Sequence, residues 1–207
     1  MPSGITIRGY SDEPRIRNLS MEVKHGELVL LLGDPGSGKS RLVRELAGID
    51  RFRHRTVSIA GGVPGSHQAL SRSCFLFQRD NFDNNREVVQ QLVRRLCLRN
   101  LGRREAGALL LEWCRKYSLG DLLHRKPADL NLEQVQLLSF APVVLWKPDV
   151  VVLDEPLQNL SPSRRTDVCS WISSLKAHAS VLAAASSPST LQGMADRIIN
   201  LSDEVQV

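Results

Sequence analysis

The stretch "GELVLLLGDPGSGKSRLVRELAGI", residues 26–49, decides the fold. Leu28 to Leu32 run without a polar break, the pattern of a strand buried on both faces. "GDPGSGKS" follows, two glycines separated by four residues and then Lys and Ser, with a further glycine at Gly36. Glycines let successive backbone N–H groups turn toward phosphate oxygens, and the helix predicted over "SRLVRELAGI" aims its positive end at the same charge. A buried strand running in and an amphipathic helix running out is the context in which this spacing signifies phosphate binding. Gly33, Asp34, Pro35, Gly36, Ser37, Gly38, Lys39, Ser40 and Arg41 are therefore the candidate nucleotide-binding residues. Lys39 is assigned to the β- and γ-phosphates and Ser40 to Mg²⁺.

A complementary segment places Asp154 115 residues after Lys39. "VVVLDEP", residues 150–156, is an apolar strand that ends by delivering Asp154 and Glu155. Such a strand is weak evidence alone. Paired with the phosphate loop it supplies a carboxylate for magnesium, Asp154, and one for the attacking water, Glu155.

Outward from these two segments, strands alternate with helices: "ITIRGY", "LSMEV", "TVSIAG" and "CFLFQ" read as strands, then a helix through Gln134 to Leu145, one near Thr166 to His178, and strands at "SVLAAAS" and "RIINLS". This order predicts an α/β fold with a mostly parallel sheet and helices on its faces. Residues 84–138 differ in kind, with apolar residues at helical spacing beside arginines, and read as an inserted helical subdomain. The remaining 1–83 and 139–207 form the core with an N-terminal β-subdomain, and the last strand is expected to finish the sheet by Val207. No apolar run reaches the roughly 20 residues of a membrane span, and the opening "MPSGITIRGY" lacks the basic-then-apolar plan of a secretory signal. The formal charge of +5 comes from arginines spread over several segments. With few aromatic residues among them, a solvated surface is expected rather than nucleic-acid binding. Cys74, Cys97, Cys114 and Cys169 form no close pairs and read as inert thiols in a reducing, cytosolic setting.

With Gly33 to Ser40, Gln78 and Asp154 to Pro156 in hand, the chain resembles the nucleotide-binding subunit of ATP-binding cassette (ABC) transporters over nearly its whole length. The resemblance implies a P-loop NTPase of ABC type that binds ATP and Mg²⁺, pairs head to tail with a second ABC ATPase subunit, identical or different, and docks on transmembrane permease subunits. It implies a cytoplasmic location, peripheral on the membrane. By resemblance Tyr10, 29 residues before Lys39, is the ring on which adenine stacks, the alternative being a strand tyrosine. Gln78 contacts Mg²⁺ and the attacking water. The permease groove lies between the Gln78 loop and the helical lobe, with Phe82 either in the groove or in the lobe core.

Four departures accompany the match. The family's Leu-Ser-Gly-Gly-Gln signature, which caps the partner's γ-phosphate, corresponds to Leu130, Asn131, Leu132, Glu133 and Gln134. Glu133 held about 5 Å from one phosphate charge at an effective dielectric of about 20 would be repelled by about 3 kcal/mol. The aspartate that couples the two sites is Ser161, and the histidine after the last core strand is Ser187. Arg41 stands where Thr or Ser is usual. These changes imply an ATPase that is slow or partner-dependent, or a subunit whose bound nucleotide serves structure or regulation.

Overall fold

A computed structural model describes residues 4–50, 57–78, 82–187 and 190–201. Its centre is a five-stranded sheet in the order β5 (Ser73–Leu76), β6 (Val150–Asp154), β7 (Ser180–Ala185), β3 (Leu28–Leu32), β8 (Arg197–Asn200), with every neighbouring pair parallel. A three-stranded antiparallel sheet packs beside it in the order β2 (Ile16–Val23), β1 (Ile5–Asp12), β4 (Val57–Ile59). The uninterrupted apolar runs of β3, β6 and β7 are explained by burial on both faces. Leu28, Leu30, Val151, Leu153, Val181 and Ala183 point to one core, shared with the helices of the inserted lobe. Val29, Leu31, Val150, Val152, Leu182 and Ala184 point to the other, shared with helix α1 (Lys39–Leu46) and the antiparallel sheet.

The lobe consists of α3 (Val88–Cys97), α4 (Arg103–Lys116) and the start of α5 (Leu132–Trp146). α5 crosses the expected 138/139 boundary without a break. Helix α6 (Pro162–Lys176) joins lobe to core through Trp171, whose ring lies 4.9 Å from Trp113, 4.8 Å from Tyr117 and 5.5 Å from Phe140. Offset and edge contacts of this kind suit aromatic quadrupoles. α6 begins four residues earlier than its periodicity suggests, because Pro162 suits the first helical turn. A short helix, α2 (His67–Leu70), interrupts the Gly/Pro/Ser loop, with Ser66 Oγ accepting from Ala69 N. Residues 202–207, where the sheet was expected to finish, lie outside the described residues.

Parallel pairing positions the site. Leu32 stands opposite Ala185, Asp154 opposite Ala184 and Leu76 opposite Leu153, so the carboxyl ends of β3, β7, β6 and β5 form one edge. Ligands of open parallel sheets bind at such an edge.

Candidate functional site

The phosphate loop leaves β3 at Gly33 and enters α1 at Lys39. Gly36 and Gly38 hold φ of 88° and 97°, the left-handed region that a side chain disfavours. A Cβ added at Gly36 would meet nothing within 4 Å, so glycine is required there by backbone conformation alone. Lys39 is only 4 % exposed, and its Nζ donates to the carbonyls of Gly33 at 2.5 Å and Asp34 at 2.9 Å and to Ser37 Oγ at 3.3 Å. Burial lowers its pKa, against the pull of Glu155, Asp154 and Asp34.

A cleft of about 370 Å³ opens over this loop, lined by its residues Pro35, Gly36, Gly38, Lys39, Ser40 and Arg41 together with Arg15, Gln78, Glu155 and Ser186. Asp154 lies beneath it, 3 % exposed. Its Oδ1 is buried without a hydrogen-bond partner among the described residues, while its carboxylate is hydrogen-bonded by Ser40. Burial pushes the Asp154 carboxyl above the usual range, opposed by the Ser40 bond. Asp154 also accepts from the Gln78 backbone, and its buried carboxylate beside the Ser40 hydroxyl, with the Gln78 side chain lining the same cleft, offers hard oxygen atoms of the kind that suit Mg²⁺. Among the described residues no group of three or more His, Cys, Asp or Glu could hold a metal. One protein carboxylate completed by phosphate oxygens is the usual Mg²⁺ arrangement at such sites.

Glu155 sits at φ 49° just past β6, a conformation uncommon for a non-glycine residue. Gln136 Nε2 holds that turn by donating to the carbonyls of Glu155 at 3.2 Å and Pro156 at 2.9 Å. Ser186 Oγ donates to Glu155 Oε1. Gln78 Nε2 donates to Gln158 Oε1 at 2.9 Å.

The sequence matches the family described as "ABC transporter" over residues 16–158. The chain belongs to the ABC transporter family. A sulfate/thiosulfate import ATP-binding protein of Mesostigma viride is 30 % identical over 161 residues, 77 % of this chain and 46 % of the relative. A zinc import ATP-binding protein of Anaplasma marginale is 35 % identical over 149 residues, 72 % of this chain and 56 % of the relative. The chain thus spans about half the length of these curated relatives. A dimeric ATP-binding cassette solved in a post-hydrolysis state with ADP and Pi overlays with a TM-score of 0.81 over 97 % of this chain and 95 % of that one, at 18 % identity.

Against the ABC expectation, Tyr10 is corrected. Its ring is 1 % exposed inside the core of the antiparallel sheet, which leaves no face for a base to stack on. Register explains this: Ile5 and Ile7 point inward, and a pairing shift between Ile7 and Tyr10, with Gly9 at φ 63°, turns Tyr10 to the same side. Burial first, and Glu45 second, push its phenol up. Arg41 acquires an account: it pairs with Asp12 Oδ1 at 2.7 Å and Glu45 Oε1 at 3.2 Å, tying α1 to the hairpin of β1 and β2. Ser187 is exposed and lines a neighbouring cavity with Gln158 and Asn159; the serine that reaches Glu155 is its neighbour Ser186. Phe82 packs against the lobe core with the Arg95 guanidinium 4.4 Å over its ring.

Leu130 to Gln134, the segment expected to correspond to the signature, do not line the cleft. They start α5 with a capping box: Asn131 Oδ1 accepts from Gln134 N at 2.9 Å and Gln134 Oε1 from Asn131 N at 3.1 Å. Glu133 Oε1 accepts from Ser161 Oγ at 2.6 Å and Ser161 N at 2.7 Å. These bonds, the hydroxyl's first, hold its carboxyl below the usual range. Leu132 is left 70 % exposed. Sequence reasoning missed Ser186, Gln136 and the Glu133–Ser161 contact, since each depends on which turns the fold brings together. Only the adjacency of Ser186 to Ser187 offered a signal.

Proposed function

We propose that the chain is the ATP-binding subunit of an ABC transport complex, which binds MgATP and hydrolyses it slowly or with a partner's help. The observation that carries this reading is the convergence of Lys39, Ser40, Gln78, Asp154 and Glu155 on one strand edge around the phosphate loop. With nucleotide bound, Lys39 would exchange its bonds to Gly33 and Asp34 for the β- and γ-phosphates, and Ser40, Asp154 and Gln78 would hold Mg²⁺. When bound, Mg²⁺ offsets the charge of the β- and γ-oxygens. Glu155, kept in place by Ser186 and Gln136, orients the attacking water.

Slow turnover follows from Ser187 standing where a histidine would touch the γ-phosphate, a kind of contribution worth about 10² to 10⁴ in rate. A second ABC ATPase subunit, identical or different, supplies the opposing cap. Membrane-spanning permease subunits dock at the groove of about 480 Å³ formed by β5, α3 and α5, which includes Phe77, Leu98 and Trp146. No helix among the described residues is long and apolar enough to cross a membrane. The proposed location is cytoplasmic, on the membrane's inner face, held by that permease.

The test is titration of the purified chain with a fluorescent ATP analogue and Mg²⁺, alongside steady-state ATPase, for wild type and Lys39→Ala. Binding and any turnover should both fall at least tenfold in the variant. Binding indifferent to Lys39 would overturn the assignment.

A further inference from the structure

The two ends of the nucleotide cleft differ in chemistry. Glu155, Gln78 and Ser186, which also border the neighbouring cavity, mark the end where the terminal phosphate reacts, and Arg15 and Arg41 line the cleft away from that cavity. A nucleoside triphosphate laid along the loop with its last phosphate toward Glu155 carries its ribose and base toward these arginines. No aromatic residue lines the cleft among the described residues, and Tyr10 is enclosed in the core.

The two arginines are not equivalent. Arg41 is committed to Asp12 Oδ1 at 2.7 Å and Glu45 Oε1 at 3.2 Å. Arg15 lies 3.8 Å from Asp12 Oδ2, an ion-pair separation too long for a hydrogen bond, and half of its side-chain surface is exposed. Its backbone is nevertheless fixed, because Arg15 N donates to Asp12 O at 2.8 Å and the adjacent Ile16 is buried. The side chain starts against the phosphate loop: a Cβ built on Gly38 would come 3.4 Å from Arg15 Cβ and 3.2 Å from Ile16 Cδ1. A guanidinium with a fixed root and a head held only by one long ion pair to Asp12 therefore stands at the base end.

We propose that Arg15 is the base-side platform of this nucleotide site, stacking its guanidinium plane on the purine and adding positive charge beside the phosphates. The proposal rests on the reading of the cleft as a nucleotide site. Because every base presents a π-face, such a platform holds bases without choosing among them. A guanidinium also donates well to the O6 and N7 of guanine. Selection then falls on the triphosphate, and ATP and GTP bind with similar affinity.

The experiment titrates the full chain, with Mg²⁺, against the N-methylanthraniloyl derivatives of ATP and GTP at two salt concentrations. The two should bind the wild type within about fivefold of each other. Arg15→Ala should weaken both about tenfold, the loss of one stacked base, and flatten the salt dependence, with no change in melting temperature. Arg15→Lys, which keeps the charge and loses the plane, should recover the salt dependence and only part of the affinity. Lys39→Ala runs in parallel. Binding that depends on Lys39 but not on Arg15 overturns this proposal alone, as does a preference for ATP above about thirtyfold. Binding of neither nucleotide, or binding indifferent to Lys39, overturns the nucleotide-site reading with it.

Discussion

Asp154 holds the sharpest conflict between stability and use. Its carboxylate is buried with one oxygen unpartnered, and burial raises its pKa. For an acid with a raised folded-state pKa, proton uptake favours the folded state. That contribution is present at acid pH and is lost as pH rises through the folded value. Asp154→Asn, neutral at every pH, should therefore stabilise the metal-free chain at neutral pH by about 1–3 kcal/mol, roughly 2–12 °C in melting temperature. The gap to wild type should narrow on acidification, and the added stability from Mg²⁺ and ATP should disappear; thermal melts with and without MgATP across pH decide this. The acid pair and the phosphate loop were legible because each sits at the end of an unbroken apolar strand. Tyr10 was not legible as a core residue, because period-two alternation from Ile5 and Ile7 puts it on the opposite face. Only the irregular pairing around Gly9 reverses that.

Among the elements, α6 shows how a departure from the family pattern can be absorbed. Ser161 makes no side-chain cap of its own helix, and the carboxylate at this start comes from Glu133 on α5. An acceptor there relieves an unpaired N–H and sits at the positive end of the helix dipole. Glu133→Gln should lower stability by about 0.5–2 kcal/mol, the range of a lost cap. A cycle with Ser161→Ala should return a coupling of about 1 kcal/mol in denaturant melts. Glu133 has a depressed pKa, so its contribution is present above about pH 4.5, the ordinary glutamate value, and is lost as pH falls through the folded value. The two curves should converge in acid. Sequence reading placed Glu133 opposite a partner's phosphate; the chain uses the same carboxylate on itself. Spacing could not have revealed this, since Glu133 and Ser161 are 28 residues apart and meet only because α5 and α6 pack together.

Across the whole molecule, the lobe and the sheet share one apolar core, and Trp171 is the largest fully buried side chain within it. Trp171→Ala should cost about 3–5 kcal/mol. Because Trp113 and Tyr117 of the α4 segment lose their partner, hydrogen exchange should accelerate in α4 more than in α1. Equal acceleration in both would show that lobe and phosphate loop open as one unit. The parallel order of strands and the helical insertion were legible from alternating periodicities, whereas the aromatic junction that unites them was not, since Trp113, Tyr117, Phe140 and Trp171 come from three separate helical stretches.

The position of β7 between β3 and β6 also bears on how the protein comes into being. β3 is made well before both strands that flank it, since β7 and β8 lie roughly 150 residues further along. At a synthesis rate of about 5–20 residues per second, the emerging phosphate loop waits on the order of ten seconds for its supporting neighbours. During that interval β3 offers two unpaired apolar edges to other chains. A ribosome-stalled nascent chain ending before Ser180 should bind no nucleotide and should be held by chaperones. The competence to grip a phosphate arrives only with β7 and β8, although the residues that do the gripping are made well over a hundred residues ahead of them.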